Sequence, residues 1–157
     1  MNIQLLLIGK TGFPFIREGM EEYSKRLKRY IDFRIQIIPD LKGRRSWSMD
    51  QLREEEGKRI LKSFTGQDYV VLLDERGEAP DSFEFARFLE KQMMSSAKSL
   101  VFVVGGAFGF SDPVYQRGNS LLSLSRMTFS HQVIRLFFME QLYRGFTIMR
   151  GEPYHHG

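Results

Sequence analysis

The sequence predicts an α/β fold in which helices flank a mostly parallel sheet, and three features carry that prediction. Short apolar runs alternate with segments whose apolar residues recur at helical spacing, the order expected of βαβ units. Two of the runs, Tyr69–Asp74 and Ser99–Val104, are continuously apolar, as strands covered on both faces are. The second runs into "VVGGAFGF" (Val103–Phe110), where a buried strand meets a glycine-rich turn just before a helix signal.

In chain order, Asn2–Gly9 reads as a buried strand. Phe15–Ile31 reads as a helix, with Phe15, Ile16, Met20, Tyr23, Leu27 and Tyr30 at helical spacing and a basic end at Lys25, Arg26, Lys28 and Arg29. Phe33–Pro39 alternates and reads as a strand near an edge. Asp40–Ser48 is a loop, and Ser48–Phe64 a helix with Ser48 as its cap. Tyr69–Asp74 is a strand followed by a polar turn, "ERGEAPDS". Ser82–Met94 is a helix capped by Asp81 or Ser82, and Ser99–Gly106 is the next strand. Ser111 or Asp112 then caps a helix with Pro113 at its first position. Leu121–Ser125 reads as a short strand, "RMTFS" as an irregular connection ending on Ser130 as a cap, and His131 to about Arg144 as the last helix. Neither a repeat nor a linker interrupts the 157 residues, which predicts one domain spanning 1–157.

The last helix carries Val133, Ile134, Leu136, Phe137, Phe138, Met139, Leu142 and Tyr143, which nearly encircle it. A helix apolar all round must be covered on more than one side. The sheet supplies part of that cover, and a second copy of the chain is the expected remainder, so a homodimer with this helix at the interface is predicted.

Composition narrows the chemistry. Cysteine is absent, which excludes disulfides, thiolate catalysis and cysteine-ligated zinc, and only three histidines are present, so no metal site is expected. No apolar run approaches the ~20 residues of a membrane span. The first ten residues read as a strand and not a signal peptide, so a cytoplasmic location is expected. Residues 1–62 carry 14 Lys and Arg against 9 Asp and Glu, whereas 63–157 carry 9 against 10. A basic first half points to a polyanion, with nucleic acid first. After Lys98 every basic residue other than histidine is arginine, the residue suited to bidentate phosphate recognition and stacking on bases.

The glycine turn matches neither the dinucleotide fingerprint nor the triphosphate loop, and no lysine follows it. Asp112 sets a carboxylate where a phosphate would seek the helix end. A close backbone approach by an uncharged, flat group such as adenosine fits the glycines better. The end of the chain, "GEPYHHG", brings an aromatic ring and imidazoles that can stack on a base and handle protons. Glu140 and Arg144 stand at i, i+4 and read as a surface pair. Asp74 and Glu75 read either as an acid pair or as a polar turn after a strand.

"LLDERG" (Leu72–Gly77), "GGAFGF" (Gly105–Phe110), "SLSRMTFSHQVIRLFFMEQLYRG" (Ser123–Gly145) and "PYHHG" (Pro153–Gly157) together resemble the RlmH family, the large-subunit rRNA pseudouridine N3-methyltransferases of the SPOUT class. The resemblance covers the whole chain in order and length. It implies a SPOUT-type α/β knot, a parallel sheet whose C-terminal part forms a deep trefoil knot. It also implies S-adenosylmethionine as donor, a homodimer, and a pseudouridine of 23S rRNA in the assembled ribosome as substrate. The implied cofactor positions are Leu73, Gly105, Leu124, Ser125, Arg126, Met127, Thr128 and Phe129, contacting the ligand largely through backbone groups. The candidate catalytic residues are Arg144, for phosphate or anion stabilisation, and Tyr154 and His155, on the target base and completing a site with the other subunit's cofactor. His131 is a further candidate with a competing capping or packing role. His156 stands where family tails usually carry a basic residue, which leaves it outside the site. The basic helix Phe15–Ile31 and the loop Lys42–Arg45 are expected to bind rRNA phosphates. A tRNA methyltransferase and a non-catalytic ribosome-binding protein are the alternatives.

Overall fold

A computed structural model describes residues 1–41 and 46–156. The basic loop Lys42–Arg45 lies outside the described residues. Ten elements follow in order: β1 (Asn2–Ile8), α1 (Pro14–Leu27), β2 (Asp32–Ile38), α2 (Met49–Lys62), β3 (Asp68–Glu78), α3 (Ser82–Met93), β4 (Ser99–Val104), α4 (Asp112–Arg117), β5 (Ser120–Leu122) and α5 (Val133–Met149). The five strands form one parallel sheet in the order β2-β1-β4-β3-β5. The α/β prediction therefore holds, and the two continuously apolar strands lie side by side at its centre.

Side chains alternate across the pleat, so each strand feeds two cores. Leu5, Leu7, Val71, Leu73, Phe102 and Val104 face α1, α3 and α5, where Ile16, Leu89, Phe138, Met139 and Leu142 meet them. Leu6, Ile8, Val70, Leu72, Val101 and Val103 face the opposite layer, against Ile60 of α2 and Val114 of α4. Helix starts follow the expected chemistry. Ser48 and Asp81 each form a reciprocal capping box, with Gln51 and Glu84, and Pro14 opens α1.

Several boundaries differ from expectation, each for a tertiary reason. Helix α1 ends at Leu27, because Tyr30 turns in to stack on Phe146 of α5 at 5.6 Å. Strand β3 runs on through the supposed polar turn to Glu78, since β5 pairs with it and the Ser123 N–H donates to the Glu78 carbonyl at 2.9 Å. Gly77 permits this approach: a Cβ there would lie 2.7 Å from the Leu121 and Leu122 backbone. Strand β4 ends at Val104 and β5 at Leu122, both short of prediction. Pro113 is the second residue of α4, not the first. Helix α5 begins at Val133, whose N–H is held by Ser130 Oγ at 3.1 Å, and passes through Gly145 to Met149. At Gly145 the missing Cβ lets Leu89 of α3 approach, and so the glycine continues the helix instead of ending it.

Candidate active site

The carboxyl ends of β3, β4 and β5 open onto a cavity of about 390 Å³. This is where open α/β sheets hold ligands, and the size falls in the ~300–1,000 Å³ range of small-molecule sites. One wall is Leu73, Val104 and Gly105. Another is the segment after β5, through Leu124, Ser125, Met127, Thr128 and Phe129 to His131. Seven of the eight predicted cofactor residues line it. Arg126 belongs to the same segment but is exposed and off the lining.

The walls are held from within. Ser123 Oγ donates to the Ser125 carbonyl at 2.7 Å, and Ser125 Oγ accepts from the Met127 N–H at 3.0 Å. Glu56 Oε1 accepts from the Gly106 N–H at 3.1 Å. Gly109 adopts φ +77°, a conformation glycine enters freely. A Cβ on Gly105 would stand 2.9 Å from the Phe110 ring.

Charge at the cavity is one-sided. Among the described residues Asp74 and Glu75 line it, and no lysine or arginine does. Asp112, which sequence reasoning credited with repelling phosphate, is exposed in the first turn of α4 and does not line the cavity. The carboxylates that do so belong to β3. Burial pushes the Asp74 carboxyl up. Hydrogen bonds from the Tyr115 hydroxyl and from the Arg76 N–H and guanidinium outweigh it and hold the group below the ordinary carboxylate range. Asp74 is therefore an anion, not a general acid. Such a lining disfavours a phosphate and accepts a cation.

The predicted tail residues form a second cluster. Arg144 donates from Nε and Nη2 to Glu140 Oε1 at 3.0 and 2.5 Å, and from Nη1 to His155 Nδ1 at 2.9 Å. A guanidinium has no acceptor, so Nδ1 accepts and the neutral ring carries its proton on Nε2. Tyr154 donates to the same Glu140 oxygen at 3.1 Å and accepts from the Tyr23 hydroxyl at 3.1 Å. The Arg144 guanidinium lies 4.9 Å from the Tyr154 ring centre, and Phe83 meets the His155 ring edge-on at 4.8 Å. Burial first, then the Tyr23 bond and the Glu140 charge, push the Tyr154 phenol up, so it stays protonated. His131, by contrast, sits on the cavity wall at the other end of α5. From Ile134, which also lines the cavity, to Arg144 is ten residues, or ~15 Å of helix.

A family model described as "Predicted SPOUT methyltransferase" matches residues 1–155. The chain belongs to the SPOUT methyltransferase family. Proteins named ribosomal RNA large subunit methyltransferase H are similar over 99% of this chain and 99% of their own length. Those of Flavobacterium johnsoniae and Parabacteroides distasonis are 50% identical, and that of Flavobacterium psychrophilum 51%.

This SPOUT methyltransferase uses S-adenosylmethionine, and the cavity fits it: much of the wall is apolar, and among the described residues the acidic and basic side chains that line it, His131 aside, are the carboxylates Asp74 and Glu75, suited to a sulfonium cation. Among the described residues no group of three or more His, Asp or Glu could hold a metal ion, and no helix is long and apolar enough to cross a membrane.

Two residues of this SPOUT methyltransferase escaped sequence reasoning. Glu140 is not half of a surface pair, for it and Arg144 have side chains only 21% and 24% exposed and it also anchors Tyr154. Arg135 is fully buried. It donates to the carbonyls of Ile8 at 2.7 Å, Gly9 at 2.9 Å and His131 at 3.2 Å, and to Thr11 Oγ1 at 3.0 Å. It thereby ties the end of β1 to the segment that walls the cavity. The only hint in the sequence was a cation within the apolar first turns of α5, between Ile134 and Leu136.

Proposed function

We propose that this chain methylates N3 of a pseudouridine in 23S rRNA of the assembled ribosome, as a homodimer in which each site joins one subunit's cavity to the other's tail. The observation that carries this is the ~15 Å of α5 between cavity and tail cluster within one chain. Neither half suffices alone. Among the described residues the cavity lining includes no lysine or arginine to steady a nucleobase anion, and the donor-sized cavity lies at the other end of α5 from the tail. Exposed aromatics support a covering partner: Phe137 of α5 is 44% exposed beside Phe129, and Phe15 of α1 is 64% exposed. The Gly12 N–H bonded to Gln132 Oε1 sets that end of α1 against the start of α5. The implied trefoil knot belongs to the same proposal. It is supported by the way residues 123–135 are tied to the earlier strands β3 and β1, through Ser123 and Arg135.

When bound, S-adenosylmethionine supplies an electrophilic methyl group on a good leaving group. Leu73, Gly105 and the 124–129 backbone hold it, with Asp74 and Glu75 supplying negative charge nearby. The nucleophile is weak until N3 loses its proton, and the resulting charge spreads over the flanking carbonyls. Arg144 and the His155 Nε2–H stabilise that charge. Tyr154 remains a neutral phenol that orients Arg144 through Glu140. The N3 proton passes to solvent water, and the tail stabilises the deprotonated base without itself taking the proton.

The test is transfer from labelled S-adenosylmethionine to unmethylated ribosomes, isolated large subunits and naked 23S rRNA, with the product nucleotide mapped. Label on N3 of a pseudouridine in whole ribosomes is expected. Label on tRNA alone, or on none of them, refutes the proposal.

A further inference from the structure

Away from the cavity and the tail, α1 and the edge strand β2 enclose a groove of about 690 Å³. Its floor is apolar, made of Leu7, Met20, Ile35 and Ile37. Among the described residues strand β2 pairs only with β1, and Ile37 is left 46% exposed at the sheet edge. The rim is cationic: Lys10, Arg17, Lys25 and Lys28 stand there against one carboxylate, Glu21. None of the three lysines enters an ion pair among the described residues. Arg17 is turned to the Thr11 carbonyl at 3.1 Å.

Self-repelling lysines around uncovered isoleucines make poor surface for a free protein. They complement a ligand with a flat apolar face and several negative charges at its margin. We infer that this groove binds an unstacked nucleotide of the RNA, with its base on Ile35 and Ile37 and the flanking phosphates on Lys10, Lys25 and Lys28. Lys25 and Lys28, at i, i+3, share one face of α1 and can take adjacent phosphates. The inference rests on the RNA-methyltransferase reading but concerns a second contact, separate from the reacting base. A duplex keeps its bases in the stack and reaches the rim alone. A bilayer cannot enter a concave floor. Here aliphatic side chains would take the place of the aromatic platforms that, with backbone charge, hold single strands without sequence readout.

Isoleucine-methyl NMR on the full chain tests this, with a short unstructured RNA oligonucleotide, the same strand annealed to its complement, an oligoglutamate peptide and phosphatidylserine vesicles as probes. The Ile35 and Ile37 methyls are expected to shift with the single strand and far less with the duplex. Lys25→Ala with Lys28→Ala should weaken single-strand binding about tenfold and reduce the slope of log affinity on log salt by ~1.4, for two phosphates lost. On ribosomes, Ile37→Glu should raise KM about tenfold, with S-adenosylmethionine affinity by calorimetry unchanged. Equal shifts with duplex, a response to oligoglutamate or vesicles but not RNA, or unmoved methyls would each overturn the inference. Should the wild-type chain leave ribosomes unmethylated while these methyls still answer to single-stranded RNA, the activity proposal fails and the groove stands.

Discussion

Replacing Glu140 by Gln keeps the side chain's shape and removes the charge on which the tail is assembled. One oxygen accepts two bonds from Arg144 and one from Tyr154. An exposed i, i+4 pair would contribute ~0.3–0.5 kcal/mol. Both side chains are more than three-quarters covered, and hydrogen bonds to charged groups in such settings contribute ~1.5–3 kcal/mol. Neutralisation preserves the geometry and part of the bonding, so about 2 kcal/mol is the expected loss. That corresponds to a roughly 30-fold shift in the docking of the tail. Stability from urea unfolding and transfer to ribosomes should both report it. The variant should lose about 2 kcal/mol, and kcat/KM should fall about 10- to 30-fold. Donor affinity should stay within about twofold, because the cavity is ~15 Å away. A double-mutant cycle with Tyr154→Phe should return a coupling of about 1 kcal/mol. Additive effects, or a loss under about 0.5 kcal/mol, would return Glu140 to an ordinary surface pair and refute the network.

Other outcomes follow from the same geometry. Arg135→Met leaves the Ile8 and Gly9 carbonyls unpaired in the interior and should destabilise by about 3 kcal/mol or more; a loss below about 1 kcal/mol in urea would show that those bonds matter little. Gly105→Ala drives a Cβ to 2.9 Å from Phe110, so donor affinity measured by calorimetry should drop at least about tenfold while the fold loses only ~1–3 kcal/mol, and unchanged affinity would place the donor elsewhere. Tyr115→Phe removes a bond that lowers the Asp74 carboxyl, whose folded pKa lies below its unfolded value. The stability this group contributes is present above the unfolded value near 3.8 and is lost as pH falls from there through the folded one; in the variant the contribution should be smaller and its loss complete at a higher pH, and superimposable acid-unfolding curves would argue against it.

The sheet was legible because its strands are apolar runs of the right length and their connections carry helical periodicity and caps. Ser48 and Asp81 announced α2 and α3, and both cap as their type requires. Glycines misled where they serve tertiary approach. Gly145 reads as a helix end, yet it admits Leu89; Gly77 reads as a turn, yet it lets β5 lie against β3. No local rule reveals such roles, since the partner is remote in sequence. The stretch proposed to hold the cofactor was singled out by family resemblance, and all of it but Arg126 lines the cavity. The acidic character of the cavity was credited to Asp112 when it belongs to Asp74 and Glu75, because sequence shows which residues follow a turn and not which way they face. The tail's order was illegible as well. Gly151, at φ +66°, turns the chain back so that Tyr154 and His155 meet α5, with Tyr23 of α1 closing over the phenol.

The claim that two chains complete one site has a direct test in subunit complementation. A Gly105→Ala chain, with its cavity blocked, is mixed with an Arg144→Ala chain, with its tail disarmed, under conditions that exchange subunits. Each homodimer alone should be nearly inactive on ribosomes. In an equimolar mixture half the dimers are mixed and each holds one intact site, so about a quarter of wild-type activity should return. A mixture as inactive as its parts would mean that cavity and tail act within one chain, and would contradict the composite site.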